Sequence, residues 1–181
     1  MTTPTHKSKR KLTVFELVLF SMFGTIMFIS KVILAVLPNI HLLAFFTMSF
    51  TVVYRKKAIV PIFVYILLEG ISQGFSVWWI QNIYIWPLLF LITLLVSRNL
   101  TKKKAMIVLP VICSLHGFLF GVLCSPVQFI FFSFDIKSTV SWIIAGFPFD
   151  LIHGISNLIL GFFIYPFTLL LYKLNNLTQK N

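Results

Sequence analysis

The sequence predicts an all-α integral membrane protein with six transmembrane helices and both termini in the cytoplasm. Three observations lead there: an apolar excess, apolar runs long enough to cross a bilayer, and basic clusters between alternate runs. Of the 181 residues, 59% are hydrophobic and only 10% are charged. Soluble domains average about 45–50% and about 25%. A domain of this size exposes too much surface to hide such an excess, and the mean hydropathy of +0.97 agrees. The solvent for most of the chain must be lipid.

A spanning helix needs about 20 mostly apolar residues. Residues 1–13 read as a flexible basic arm carrying Lys7, Lys9, Arg10 and Lys11. The first span follows at residues 14–37 and stops at Pro38. It exceeds the apolar region of a signal peptide and ends in no small-residue cleavage pattern, so it reads as a helix that stays. Further spans are expected at residues 41–54, 58–75, 83–96, 105–123 and 148–172. The six form a single domain over 14–175, with a tail at 176–181. Residues 125–147 are apolar but interrupted by Pro126, Asp135, Lys137 and Gly146. They are expected to form a long outer loop that partly re-enters or caps the helices, with a seventh span as the alternative.

The net charge of +11 comes from clusters at the ends of apolar runs. That position excludes a nucleic-acid face and fits the positive-inside rule. The arm, Arg55 to Lys57, Arg98 with Lys102 to Lys104, and Lys173 with Lys180 all fall on one side of a six-span chain. Seven spans would put the last pair on the wrong side. Cys113 and Cys124 form neither a zinc motif nor a disulfide framework and read as small packing residues.

Only four acidic residues exist, Glu16, Glu69, Asp135 and Asp150. Lys31 and Glu69 fall at membrane depth near the outer ends of their helices. Buried charges pair or face water, so the two are read either as a structural ion pair or as lining an outward-open cavity. Asp150, His153 and Asn157 share one helical face, able to bind a polar ligand or to fix the outer loop. His116 reads as an interior histidine. Trp78, Trp79 and Tyr84 belong either to an aromatic belt or to the wall of a cleft. His41 and Gln73 complete the candidate ligand set. On the first helix, Ser21, Gly24 and Thr25 form a small-residue surface for close helix approach. It serves either this chain's own helices or a separate membrane subunit. Enzymatic motifs are lacking: there is no HExxH, no phosphate-binding Walker loop and no cysteine cluster. No metal site or cofactor is expected. His153 and Ser156 lie on one helix with no oxyanion loop, which does not make a hydrolase.

With these residues assembled, the chain resembles the substrate-binding S-components of energy-coupling factor (ECF) transporters, vitamin-uptake systems related to ABC transporters. The resemblance covers nearly the whole chain. It rests on length, six spans, and the stretches FSMFGTIMFISKVILAVLPNIHLL, YILLEGISQGFSVWWIQNIYIWPLL and FPFDLIHGISNLILGFFIYPF. It implies high-affinity binding of one micronutrient at the outer face. It also implies docking on a transmembrane coupling subunit driven by two cytoplasmic ATPases, through a first-helix AxxxA motif that Ser21 and Thr25 occupy here. The segments LPNIHLL, LLEG and YIWPLL are most similar to the cobalamin-specific S-components of lactobacilli. A short first loop and many outer aromatic and amide groups, Gln81 and Asn82 among them, suit a corrin. Another vitamin such as pantothenate, or a structural membrane protein without a ligand, is the alternative.

Overall fold

In the computed structural model, which describes residues 12–178, every regular element is helical. The helices are α1 (Val14–Ile33), α2 (Leu43–Tyr54), α3 (Ile59–Gln73), α4 (Val77–Ile80), α5 (Asn82–Val96), α6 (Lys102–Phe118), α7 (Phe120–Phe131) and α8 (Ile136–Thr178). The basic residues of the N-terminal arm and Lys180 lie outside the described residues.

Sequence sets the start of α1. Thr13 and Glu16 form a reciprocal capping box: the Glu16 amide donates to Thr13 Oγ1 and the Thr13 amide to Glu16 Oε2, both at 3.1 Å. Two otherwise unpaired amides are thereby satisfied. Glu16 also pairs with Lys57, tying this helix start to the α2–α3 turn. α1 packs along α3 through Gly24, where a Cβ would lie 2.6 Å from Val64 Cβ and 2.8 Å from the Pro61 carbonyl oxygen. Gly24 therefore serves contact within the chain. This corrects its assignment to a partner surface, for which only Ser21 and Thr25 remain exposed.

α2 is buried without interruption from Leu43 to Thr51. A helix apolar on all sides belongs inside, and α2 sits against α5, α8 and α6. Arg55 ends it at φ 54°, a backbone that L residues rarely adopt. Its guanidinium donates to Ser97 Oγ at 2.7 Å and to the Leu94 carbonyl at 2.8 Å, joining the α2–α3 turn to the α5–α6 turn. The Tyr172 hydroxyl of α8 donates to the Val52 carbonyl. These contacts collect one end of the bundle. It carries Arg55, Lys56, Lys57, Arg98, Lys102, Lys103, Lys104 and Lys173, with Glu16 the single carboxylate there among the described residues.

Two expectations need correction. Six full spans were predicted, but four helical runs are long and apolar enough to cross a membrane: Val14–Val36, Val77–Asn99, Lys102–Phe131 and Ile136–Asn176. α2 has 12 residues and α3 has 15, or about 18 and 22 Å of rise, short of a hydrocarbon core of about 30 Å. Secondly, residues 125–147 are not a loop. α7 continues to Phe131 and α8 begins at Ile136, so the segment is the tip of a helical hairpin and neither a re-entrant loop nor a seventh span. Pro126 and Pro148 lie inside helices on exposed faces, and membrane helices tolerate proline where local adjustment re-satisfies the freed carbonyl. Below the hairpin α6 meets α8 at Gly117, where an added Cβ would meet the backbone of Gly154 at 2.8 Å. Two glycines let the helices touch backbone to backbone.

Outside this core the helices present Leu, Ile, Val and Phe to the surroundings, Val14, Ile33, Ile107, Ile144 and Phe162 among them. A water-facing surface of this kind would aggregate. The protein is an all-helical, membrane-embedded one.

Candidate ligand-binding site

At the end of the bundle opposite the basic turns lies a cavity of about 440 Å³. Lys31 of α1, His41 before α2, Glu69 and Gln73 of α3, and Trp78 and Trp79 of α4 all line it. Six of the ten residues singled out in the sequence thus meet at one site.

Lys31 Nζ and a carboxylate oxygen of Glu69 form an ion pair, with side-chain exposures of 30% and 6%. Lys31 keeps access to the cavity, whereas Glu69 is enclosed. The ion-pair and cavity-lining readings of these residues therefore describe one arrangement. Trp79 is anchored, its indole N–H donating to the Ile66 carbonyl at 2.7 Å. Trp78 is half exposed at the mouth, its ring centroid 5.9 Å from that of Phe132.

The remaining predicted residues lie elsewhere. The Tyr84 hydroxyl donates to the Leu123 carbonyl, bracing α5 against α7. Asp150 is not at a helix N-terminus. It lies within α8 and accepts from the Gly121 amide at 3.0 Å, just past the α6–α7 break. The Asn157 amide donates to the Cys113 carbonyl at 3.2 Å. Asp150 and Asn157 therefore share a face, as the spacing predicted, but that face binds α6 and α7. His153 sits one layer behind the cavity, its ring 4.5 Å from that of His41 and 4.9 Å from that of Phe120.

Gln81 and Asn82, named in the sequence as suited to a corrin's amides, also line the cavity, and Tyr65, Trp86 and Phe120 line it without having been singled out as ligand residues. Two of them carried a usable signal. Tyr65 precedes Glu69 by four residues and shares its face. Trp86 follows Asn82 by four, and its indole N–H donates to Asn82 Oδ1 at 2.8 Å. Phe120 comes from a distant element and carried none.

Around this cavity, His41 Nδ1, the Tyr65 hydroxyl, Glu69 Oε2 and Gln81 Oε1 are buried without a hydrogen-bond partner. Buried polar atoms are nearly always paired. Four polar atoms converge on one hollow between indole and phenol walls, the composition that small-molecule pockets have. No cluster of metal-ligating side chains is present among the described residues. No protein-family model, curated protein or solved structure matches the chain.

Proposed function

We propose that this chain is the substrate-binding membrane subunit of an ECF-type transporter, taking up a vitamin from outside the cell. The single observation that carries the reading is the cavity at the non-basic end, with its four unpaired polar atoms and aromatic walls. With the basic turns cytoplasmic by the positive-inside rule, that cavity opens outward and both termini lie inside. The chain then passes between the two ends six times, α2 and α3 being short crossings. Exposed Ser21 and Thr25 on α1 supply the surface for a coupling subunit, and ATP hydrolysis resides in separate subunits.

Cobalamin is the substrate this reading favours, through the sequence resemblance. A corrin is several times larger than the cavity. It would seat one edge with its amides against Gln81, Asn82 and His41, and its ring would cover Trp78. The enclosed volume favours a second reading, a vitamin of pantothenate size held entirely within it. Titration of the purified chain with a vitamin panel tests both. Saturable binding of cobalamin, weakened about tenfold in Trp78→Ala by loss of one aromatic wall, supports the first. Binding of a small vitamin alone supports the second. A chain that binds no vitamin at all is no S-component.

A further inference from the structure

A second cavity, larger than the one just described, lies at the basic end. It holds about 940 Å³ and is bounded by the α2–α3 turn, the α5–α6 turn and α8. Its lining is of two kinds. Arg55, Lys56 and Arg98 supply cations, and no carboxylate among the described residues lines it. Leu94, Leu100 and Leu109 supply apolar surface, and Leu95 and Leu169, 74% and 49% exposed, extend it to the outer surface of the bundle.

Among the described residues the three cations form no ion pair; the pairs there are Lys31 with Glu69 and Lys57 with Glu16. Arg55 is held in place by its bonds to Ser97 and Leu94. Those two bonds use part of a guanidinium's five donors and leave the rest free. The fold also accepts a left-handed backbone at Arg55, a strain that persists only where the surroundings fix it.

We propose that this cavity binds an anionic phospholipid, its phosphate between Arg55, Lys56 and Arg98 and its acyl chains along the leucine wall. Arg matches phosphate oxygens with a planar pair of donors. Basic pockets between membrane helices at the cytoplasmic level hold anionic headgroups. A free phosphate would use the cations and leave the leucine-lined volume empty. A zwitterionic lipid would fill that volume but bring its own cation against the three already there. Only an anionic amphiphile satisfies both halves. The site is distinct from the vitamin cavity and does not depend on the transport reading.

The test uses the full-length chain, purified in detergent and stripped of lipid. It is titrated with phosphatidylglycerol, with phosphatidylcholine of the same acyl chains, and with inorganic phosphate. Retained lipid is read by native mass spectrometry, and stability by thermal unfolding. The expected result is one tightly retained phosphatidylglycerol and a raised melting temperature, with weak retention of phosphatidylcholine and no shift from phosphate. Lys56→Gln and Arg98→Gln break no hydrogen bond of the structure, so the lipid-free variants melt as the parent does. Each should weaken phosphatidylglycerol retention roughly fivefold. Lys103→Gln, on the same end but outside the cavity, should leave retention within roughly twofold. Equal retention of the two lipids, or full retention by both cavity variants, overturns the proposal. A melting shift produced by phosphate alone would make this a free-anion site and overturn the lipid assignment. Displacement of the lipid dependence by an acidic helix of a coupling subunit would make it a protein interface, and overturn it equally.

Discussion

Lys31 and Glu69 form a pair whose members are not equivalent. Lys31 is 30% exposed and Glu69 6%. Removing the carboxylate leaves an ammonium that can turn toward cavity water. Removing the ammonium leaves an uncompensated carboxylate that is only 6% exposed. Breaking a buried pair costs about 3–5 kcal/mol, and hydration of Lys31 reduces this on one side. Glu69→Gln is therefore expected to destabilise by about 1–2 kcal/mol and Lys31→Met by about 3 kcal/mol. Chemical unfolding in detergent checks the order, and a larger loss in Glu69→Gln would contradict it. The same distinction separates residues that the sequence ranked together. Trp78 makes no hydrogen bond and stands half exposed, whereas Asn157 is fully buried and bonded to Cys113. Trp78→Ala should thus lower ligand affinity with little loss of stability. Asn157→Ala should cost about 1 kcal/mol of stability and leave affinity unchanged, as ligand titration on folded protein would show. Spacing revealed that Asp150, His153 and Asn157 share a face. It did not reveal what lies opposite, because that depends on where α6 bends at Leu119.

α1 illustrates what periodicity conveys and what it omits. Small residues at 21, 24 and 25 were visible, but Gly24 points a different way from its neighbours. An added Cβ there would overlap Val64 and Pro61, so Gly24→Leu should disrupt α1–α3 packing and lower the yield of folded protein. Ser21→Trp projects outward beside Met22 and Ile26. It should leave folding and ligand binding intact while abolishing co-purification with a coupling subunit. Loss of ligand binding in Ser21→Trp would place the docking surface elsewhere. The α7–α8 tip was misread for a physical reason. Proline and glycine end helices in water, so in the sequence Pro126 and Gly146 read as breaks alongside Asp135 and Lys137. The true punctuation is Ser133 at φ 54° followed by Asp135, whose Oδ1 accepts from the Ser138 amide at 2.7 Å. Hydrogen bonds from the Ser138 side chain and amide hold the Asp135 carboxyl below its ordinary value of 3.8. A lowered folded value means the cap stabilises above pH 3.8 and fades as pH falls through the lowered value. The protection factor of the Ser138 amide, its exchange rate relative to the unstructured rate at the same pH, should fall only on acidification, and should be low at every pH in Asp135→Ala.

For the whole molecule, the basic residues were the most informative part of the sequence. They placed the turns after α2 and α5 together, and Arg55 joins them by direct hydrogen bonds to Ser97 and Leu94. The apolar runs were less informative about thickness, since α2 and α3 fall short of a full span. Their shortness is compatible with crossing because α2 is buried from Leu43 to Thr51 and meets helices where other segments meet lipid. A segment enclosed by protein need not match the hydrocarbon thickness, and mismatch at the lipid boundary costs only fractions of a kcal/mol per ångström. The rival arrangement has four spans, with residues 43–73 dipping in from outside and returning. Both arrangements put Thr101 and Asn176 on one side and Ser76 and Lys137 on the other, so cysteines there test orientation but not the number of crossings. Lys56 decides it. The Arg55–Ser97 bond sets the α2–α3 turn level with the end of α5, and Lys56 is exposed. The native cysteines are buried at 0% and 4% exposure and contribute little background. With six crossings, Lys56→Cys should react with an impermeant maleimide from the cytoplasmic side at the rate of Thr101→Cys, and not from outside. A Lys56→Cys that reacts from neither side, in protein that still folds, would bury the turn in the hydrocarbon and leave four spans.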